Sequence, residues 1–400
     1  MNLKSGYPFS IMKNGIPANF PKLEHDAETD VVILGGGITG ALVRYHLIKA
    51  GIKCITIDAR TIGFGSTSAS TSLLQYEIDV PLYKLTEMIG KEPAERAYRL
   101  CNEAINDLGV LAEELKLEEF ENKNSLYYAA YKKDVSWLKK EYKARKEAGF
   151  TVEYLEADDI KKQYGFTCYG GILSHHGAYT NAYVFAYKLL QYNKDDENAK
   201  IYDRSPVESI KEHKNGVTLN TENGYTIKAN KIVYATGYEV VEYIDKDIVQ
   251  LLSTYAVVSE QYNDRKFWKD EVLLWNTADP YLYIRTTTDN RILIGGRDEE
   301  FSNPVKRDKL LKKKTEQLVA DANKLFSDLN FIPEFSWAGT FGATKDGLPY
   351  IGEYDKMPNS YFALGFGGNG ITFSLIAAQL LTDLLQGKDN KNAALFSFNR

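Results

Sequence analysis

The stretch DVVILGGGITGALVRYHLIKAGIKCITID, from Asp30 to Asp58, combines an apolar strand pattern, a glycine-rich turn, an apolar helix pattern and a second strand pattern. This order predicts a βαβ unit. Because the first strand is apolar at successive positions, it is typical of a parallel strand that is buried on both faces of its sheet. We therefore predict an α/β fold (α+β overall) that contains a nucleotide-binding unit of the Rossmann type.

The turn in this stretch has the spacing G-x-G-x-x-G, with glycines at Gly35, Gly37 and Gly40. Gly35 permits the tight turn, Gly37 lets the backbone approach a pyrophosphate, and Gly40 lets the helix pack closely on the sheet. The start of the helix offers free N–H groups to phosphate oxygens. Asp58 ends the second strand eighteen positions after Gly40 and can accept hydrogen bonds from ribose hydroxyls. The pattern predicts a dinucleotide site, although a purely structural glycine turn has the same spacing.

Three further segments favour FAD over NAD. GFGSTSASTSLL (Gly63–Leu74) follows the second strand and supplies small hydroxyl side chains where the pyrophosphate is expected. KIVYATG (Lys231–Gly237) is a strand pattern that ends in Ala-Thr-Gly. GFGGNGIT (Gly365–Thr372) leads directly into a helix, whose N-terminus can face the flavin edge that becomes negative on reduction.

Composition limits the possible partners. The 400 residues carry a formal net charge of −5 with no basic block, which argues against nucleic acid as a partner. The three cysteines, Cys54, Cys101 and Cys168, are far apart and predict neither a disulfide framework nor a metal site. The longest apolar stretch, Ile371 to Leu385, is too short to span a bilayer. We expect a cytoplasmic protein that acts on a small molecule.

Nucleotide-binding segments occur early, in the middle and late in the chain, and an aromatic, strand-rich region from Ile248 to Arg297 lies between the last two. We therefore predict two discontinuous domains. The FAD-binding domain comprises residues 1–80, 150–245 and 330–400. The substrate domain, a mostly antiparallel sheet plus helices, comprises residues 81–149 and 246–329.

The motifs GGGITG, GFGSTSAS, YATG, WAGTFGATKDGLPYIG and GFGGNGITFS occur in the order seen in the FAD-dependent amine and amino-acid oxidases. From about Asp30 to Gly387 the chain resembles this family, the D-amino-acid oxidase superfamily. The resemblance implies that the FAD site is formed by Gly35, Gly37, Ile38, Thr39, Gly40, Asp58, Ala59, Arg60, Ser66, Thr67, Ser68, Ser70, Thr71, Ser72, Leu73, Val207, Ala235, Thr236, Gly237, Gly342, Gly367, Gly368, Asn369, Gly370, Ile371 and Thr372.

The same resemblance implies where substrate is held. Arg285 lies on the strand expected over the flavin and can clamp a carboxylate, although a surface ion pair is an equal alternative. Tyr283 and Tyr255 can orient an amine, although core packing explains either tyrosine alone. His175, in a turn, is a candidate base, although a single turn histidine is more often merely exposed.

The chain also departs from this family. Glycine-oxidase-like sequences have a carboxylate-binding arginine at the position of Phe341, and sarcosine-oxidase-like sequences have a lysine at Thr372. Sarcosine-oxidase-like sequences also have a lysine that promotes reaction with oxygen, and here Leu293 stands at about that position. The sequence therefore leaves open whether the electron acceptor is oxygen or another oxidant. No cysteine stands at about Gly339, where some members attach flavin covalently, so we predict non-covalent FAD.

Our leading hypothesis is an FAD-dependent oxidase or dehydrogenase that oxidises the C–N bond of an amine or amino acid by hydride transfer to flavin N5. Any carboxylate of that substrate would lie far from the reacting carbon. The alternatives are a C–O dehydrogenase of a 2-hydroxy acid or polyol phosphate on the same fold, and a flavin-binding subunit without turnover of its own.

Overall fold

The computed structural model describes residues 2–244, 248–263 and 266–400. Its strands, in chain order, are β1 (Lys4–Gly6), β2 (Ala27–Leu34), β3 (Cys54–Ile57), β4 (Leu73–Leu74), β5 (Phe120–Asn122), β6 (Ser125–Tyr128), β7 (Val152–Leu155), β8 (Gly171–Ser174), β9 (Ala178–Thr180), β10 (Ala199–Tyr202), β11 (Val207–His213), β12 (Gly216–Thr221), β13 (Thr226–Tyr234), β14 (Gln250–Ser259), β15 (Leu273–Asn276), β16 (Leu282–Thr286), β17 (Ile292–Glu299), β18 (Pro333–Ala343), β19 (Tyr350–Tyr354) and β20 (Met357–Leu364). Its α-helices are α1 (Phe9–Asn14), α2 (Ile38–Lys49), α3 (Ser66–Ala69), α4 (Leu82–Ile89), α5 (Lys91–Glu114), α6 (Val135–Glu147), α7 (Ala157–Tyr164), α8 (Ala182–Gln191), α9 (Pro304–Leu325) and α10 (Gly370–Leu385).

The first sheet is built around the predicted βαβ unit. Among the described residues it has eight strands, with the core order β10-β3-β2-β13. These four strands pair in parallel, and β20 also pairs in parallel with the second half of β13. Helices α2, α5, α8 and α10 bury one face of this sheet, and the β11–β12 hairpin helps to bury the other. The prediction of a parallel sheet buried on both faces is confirmed.

The second sheet is mostly antiparallel. Within the part of the chain that the structure describes it has nine strands, in the order β1-β18-β14-β17-β16-β15-β6-β8-β7. Only the pairing of β15 with β6 is parallel. Helix α9 packs on one face, where Leu318 and Ala322 join the core formed with Tyr255 and Ile294. The predicted combination of a Rossmann-type unit with a mostly antiparallel sheet is therefore confirmed as the fold class.

The predicted domain boundaries stay a prediction, but the strands are divided between the two sheets differently from those boundaries. Strands β7 and β8, and also β1 and β18, belong to the nine-stranded sheet. All four lie in ranges that the sequence assigned to the FAD-binding domain. Their long-range pairing cannot be read from local pattern, because an antiparallel strand can take partners from distant parts of the chain. The predicted boundary at 245/246 lies outside the described residues.

The α-helices of the described residues range from 4 to 24 residues in length. None of these helices combines the length and the apolar character that crossing a bilayer requires.

A buried ion network supports the segment that follows β4. Arg145 of α6 donates from Nε to Glu141 at 2.6 Å and from Nη1 to Glu77 at 3.0 Å, and all three side chains are almost completely buried. Ser174 of β8 donates to the same Glu77 oxygen at 2.6 Å. Since burial penalises isolated charges, each member of this network depends on the others.

We predict that Arg145→Met destabilises the protein by about 3 to 5 kcal/mol, because it leaves two buried carboxylates without their counter-charge. Urea unfolding followed by intrinsic fluorescence measures the effect. The matched control is Lys143→Met on the same helix, where the side chain is 76% exposed and faces Glu147 at 3.7 Å. This control should change the free energy of unfolding by less than about 0.5 kcal/mol. Equal effects of the two substitutions would contradict the prediction.

Candidate active site

The candidate site is a cleft between the two sheets with a cavity volume of about 270 Å³. One wall is formed by the turns that follow β2, β3 and β13, at the carboxyl ends of parallel strands. Ligands of open parallel sheets bind at this edge, because the strand ends and helix N-termini meet there. Residues of β14, β16, β17 and β18 line the other wall.

The glycine-rich turn after β2 has the geometry that its spacing predicts. Gly35 has φ 111°, in the region that favours glycine, and its N–H donates to the carbonyl of Ile57 at 2.8 Å. A Cβ at Gly40 would collide with the carbonyl oxygen of Gly35, so only glycine lets α2 pack this closely. Gly37 lies at the start of α2, where an added Cβ would be 2.8 Å from Oγ1 of Thr67. The turn therefore brings backbone N–H groups to the cleft without intervening side chains.

Asp58 follows β3 and is held by backbone donors. Its Oδ2 accepts from the N–H of Gly36 at 2.8 Å, and its Oδ1 accepts from the N–H of Arg60 at 2.8 Å. Burial raises the pKa of Asp58, and these two hydrogen bonds partly offset the effect. The guanidinium of Arg60 is paired with Glu239 through two hydrogen bonds of 2.9 and 2.7 Å. Together with Ala59, these side chains line the end of the cleft expected for ADP.

The cleft contains polar atoms that suit a dinucleotide. Oγ of Ser66 and Oγ1 of Thr236 are buried, and neither forms a hydrogen bond with the described residues. Both residues line the cleft. Since buried hydroxyls are normally hydrogen-bonded, these two atoms need a partner from a ligand or water. With the glycine turn beside them, the residues present fit FAD, which supplies a two-electron acceptor when bound.

Other hydroxyls of the serine-rich run have protein partners. Thr67 accepts from the N–H of Ile38 at 3.0 Å, and Ser68 donates to the carbonyl of Gly65 at 3.1 Å. Ser70 accepts from the N–H of Ser72, and Ser72 accepts from the N–H of Ala182. The run therefore shapes the loop as well as lining the cleft.

The segment before α10 closes the cleft near the second sheet. Asn369 donates from Nδ2 to the carbonyls of Gln75 and Glu77, each at 2.8 Å. The N–H of Gly368 donates to Oδ2 of Asp79 at 2.8 Å. Thr372 donates its hydroxyl to the carbonyl of Asn369 at 2.8 Å and is buried. These bonds fix the start of α10 against the segment that follows β4.

The structure brings most of the expected cofactor residues into this one cleft. Those that line it are Gly35, Gly37, Ile38, Thr39, Asp58, Ala59, Arg60, Ser66, Thr67, Ser70, Thr71, Ser72, Leu73, Val207, Ala235, Thr236, Gly237, Gly367, Gly368, Gly370 and Ile371. Those that do not line it are Gly40, Ser68, Gly342, Asn369 and Thr372. Each of these five packs directly behind a lining segment.

Arg285, the expected carboxylate clamp, does not line the cleft. Its Nε donates to the carbonyl of Thr71 at 2.7 Å, and its Nη1 donates to the carbonyl of Thr286 at 2.8 Å. The guanidinium also lies 4.6 Å from the ring centroid of Tyr179. Arg285 lies on the same face of β16 as Tyr283, but its guanidinium is bound to these backbone carbonyls and ties β16 to the serine-rich loop.

Tyr255 and His175 also lie away from the cleft. Tyr255 points from β14 into the core beneath α9, since alternate side chains of a strand face opposite sides of the sheet. His175 is exposed after β8, with Nε2 2.8 Å from Oε1 of Glu153. Neither residue lines the cavity.

Tyr283 and Phe341 do line the cleft. The ring of Tyr283 lies across Gly295 of the neighbouring strand, where a Cβ would collide with it. Burial raises the pKa of Tyr283 to about 12, so the phenol stays protonated at neutral pH. Phe341 lies opposite Leu252 in the pairing of β18 with β14.

Sequence reasoning missed Asp298, which lines the cleft together with Thr254 and Tyr281. Ser253 pairs with Glu299 and Tyr255 pairs with Gly296, so Thr254 alone opposes both Arg297 and Asp298. This is a β-bulge, and Arg297 adopts φ 60° within it. The only sequence signal was an acidic residue two positions after the RILIGG strand pattern.

The bulge reverses the alternation of side chains at the end of β17. Arg297 points toward α9 and forms hydrogen bonds of 2.7 and 2.6 Å with Asp321. Lys314 of α9 donates to the carbonyl of Arg297 at 2.7 Å and pairs with Glu299 at 2.6 Å. The extra residue therefore places Asp298 on the cleft side of the sheet, because a regular strand would direct it toward α9.

The carboxyl group of Asp298 is in an unusual environment. Its Oδ1 is buried and forms no hydrogen bond with the described residues. Burial is the main reason that the pKa of Asp298 is raised to about 7. The negative charge of Asp79 also raises this pKa, whereas the nearby hydroxyl of Thr254 lowers it in part. An acid with this pKa can exist as a carboxylate or as a neutral acid near neutral pH.

We predict that Gly40→Ala weakens FAD binding by about tenfold or more, corresponding to about 1.4 kcal/mol. The added methyl group would push α2 away from the glycine turn that approaches the pyrophosphate. Titration of the apoprotein with FAD, followed by flavin fluorescence, measures the affinity. Gly65→Ala is a matched control in the same cleft, because its Cβ would have 3.5 Å to the nearest side-chain atom. Tight binding by Gly40→Ala would contradict this role of the glycine.

Comparison with known proteins agrees with this geometry. The sequence profile of the family described as "FAD dependent oxidoreductase" matches residues 30–384. Gamma-glutamylputrescine oxidoreductase of Escherichia coli is 23% identical over 92% of this chain and 86% of its own length. Glycine oxidase of Bacillus subtilis is 24% identical over 92% of this chain and 96% of its own length.

Among solved structures, glycine oxidase of Geobacillus kaustophilus superposes with a TM-score of 0.78 and 22% identity, covering 94% of this chain and 99% of its own. This likeness shows that the two proteins share a fold. The glycine turn, the buried hydroxyls and Asp58 all fit FAD. Since the family profile also covers most of the chain, this protein belongs to the FAD dependent oxidoreductase family.

Proposed function

We propose that this enzyme oxidises the C–N bond of an amine, giving an imine, and that any carboxylate of the substrate lies far from the reacting carbon. FAD supplies the acceptor for the hydride from that carbon. The protein's own part is to bind the amine, to orient the C–H bond and to exclude water. Relatives named for the oxidation of amines and amino acids support the reaction class.

The observation that carries the proposal is the charge of the cleft lining. Among the described residues that line the cleft, Arg60 is the one arginine or lysine, and it is paired with Glu239 at the ADP end. The wall formed by the second sheet instead presents Phe341, Tyr281 and Tyr283. A carboxylate next to the reacting carbon would be buried there without a cation, which is costly.

The same observation disfavours the C–O alternatives. A 2-hydroxy acid or a polyol phosphate carries at least one negative charge close to its reacting carbon. Both classes need arginine, lysine or a helix N-terminus to bind that charge. The segment just before α10 lines the cleft, but there the N–H of Gly368 already donates to Asp79. An aromatic wall suits an amine better.

We also propose that FAD is held without a covalent bond. The three cysteines of the chain are buried, and none of them lines the cleft. Gly339 lines the cleft and offers no side chain for attachment. We therefore expect acid or heat denaturation to release the flavin into the supernatant. Flavin absorbance that stays with the precipitated polypeptide would contradict this prediction.

The reaction class is tested by mixing the FAD-loaded enzyme with single compounds under anaerobic conditions. We expect amines without an adjacent carboxylate to bleach the flavin band. Their α-carboxylated counterparts should bleach it at least about tenfold more slowly, because an unpaired buried carboxylate costs more than about 1.4 kcal/mol. 2-Hydroxy acids and polyol phosphates serve as controls for C–O chemistry.

The outcomes of this screen are distinct. Bleaching only by hydroxy acids or polyols would overturn the proposal in favour of C–O oxidation. Bleaching by no compound, together with no turnover when an artificial electron acceptor is added, would favour a flavin-binding subunit. Rates with oxygen and with an artificial acceptor then separate an oxidase from a dehydrogenase.

A further inference from the structure

We propose that Asp298 binds the positively charged amine group of the substrate and accepts its proton, so that the enzyme selects cationic amines. This inference rests on the proposed oxidation of a C–N bond and names the residue that recognises the reacting group. Asp298 lies in the cleft only because the bulge opposite Thr254 turns it there.

The charges around Asp298 favour a cation. Asp79 lies close enough to raise the pKa of Asp298, so the region carries more than one acidic group. The nearest cations of the bulge, Arg297 and Lys314, are engaged on the α9 side of the sheet by Asp321 and Glu299. Their charge is therefore partly offset there, although Lys314 still lowers the pKa of Asp298 to some extent, and Asp298 faces the cavity.

The neighbours of Asp298 can complete the recognition of an ammonium group. The hydroxyl of Thr254 is buried on the same wall, close enough to Asp298 to lower the pKa of its carboxyl group. The rings of Tyr281 and Tyr283 lie 5.9 Å apart between centroids and also line the cleft. A carboxylate, a hydroxyl and aromatic rings together bind a cation through charge, hydrogen bonds and cation–π contacts.

Proton transfer gives Asp298 a role beyond binding. An ammonium group has no lone pair, so its carbon cannot donate hydride to form a C=N bond. When an N–H bond of the ammonium breaks, the proton moves to the carboxylate and the electron pair stays on nitrogen. The carboxylate becomes a neutral acid, which its buried position favours. The neutral amine then has the electron pair that imine formation needs, and bound FAD would be the acceptor for the hydride.

The test uses three probes of one shape: 2-methylpropan-2-amine as its cation, 2-methylpropan-2-ol as the neutral analogue, and 2,2-dimethylpropanoate as the anion. The carbon that bears the nitrogen has no hydrogen, so the amine cannot be oxidised. Isothermal titration of the FAD-loaded enzyme at pH 8 measures binding without turnover. We expect the cation to bind more tightly than the alcohol, and the anion to bind most weakly.

The decisive variant is Asp298→Asn, which keeps the shape of the side chain and removes its charge. We expect its affinity for the cation to fall by about tenfold or more, while the affinity for the alcohol changes by less than about twofold. Glu300→Gln is the matched control, since this carboxylate is exposed just after β17 and does not line the cleft. It should leave the cation preference within about twofold of the wild type.

The possible results separate this inference from the proposed function. FAD content and the unfolding midpoint of Asp298→Asn establish that the variant is folded. Should it fail to fold, Asp298→Ser is measured in the same way, with the same loss of cation preference expected. A cation preference that survives removal of the charge, or a wild type without one, would overturn the role of Asp298 even where amines bleach the flavin. Failure of every amine to bleach the flavin would instead overturn the proposed function.

Discussion

The contact between Gly40 and the carbonyl of Gly35 is the constraint from which the architecture of the cofactor site follows. Helix α2 can lie directly on the turn after β2 only because Gly40 has no side chain. That contact sets the start of α2, and with it the N–H groups that face the cleft. It also brings Thr67 beside Gly37, which anchors the serine-rich loop to the helix through the N–H of Ile38. Close backbone approach therefore organises both walls of the FAD end.

The substrate end of the cleft depends on a different structural feature, the extra residue of the β-bulge in β17. A regular strand would have directed Asp298 toward α9 and Arg297 toward the cleft, giving a cationic wall. The bulge exchanges the directions of these two side chains. Lys314 stabilises the bulge by donating a hydrogen bond to the carbonyl of Arg297. One inserted residue thus inverts the charge presented to a ligand.

Buried polar networks connect the two ends. Arg285 holds the serine-rich loop to β16 through the carbonyl of Thr71, and Asn369 holds the start of α10 to the segment after β4. That segment is held in turn by Arg145 through Glu77. The first link joins a strand of the second sheet to a loop that lines the cleft, and the other two join the segment after β4 to the start of α10 and to α6. Because an unsatisfied buried polar group costs free energy, these links restrict the relative positions of the lining segments.

The sequence by itself determined the nucleotide-binding half of this protein. The spacing of Gly35, Gly37 and Gly40, the apolar strand before them and Asp58 after them act within one βαβ unit, where local pattern specifies geometry. The tertiary structure alone decided the substrate end. The position of Tyr255 away from the cleft depends on strand register, and that of Asp298 within it depends on a bulge. Arg285 is withdrawn from the cleft by its hydrogen bond to the carbonyl of Thr71, a residue distant in the sequence. Register arises from pairing between distant segments, and a one-residue shift moves a side chain to the opposite face of the sheet.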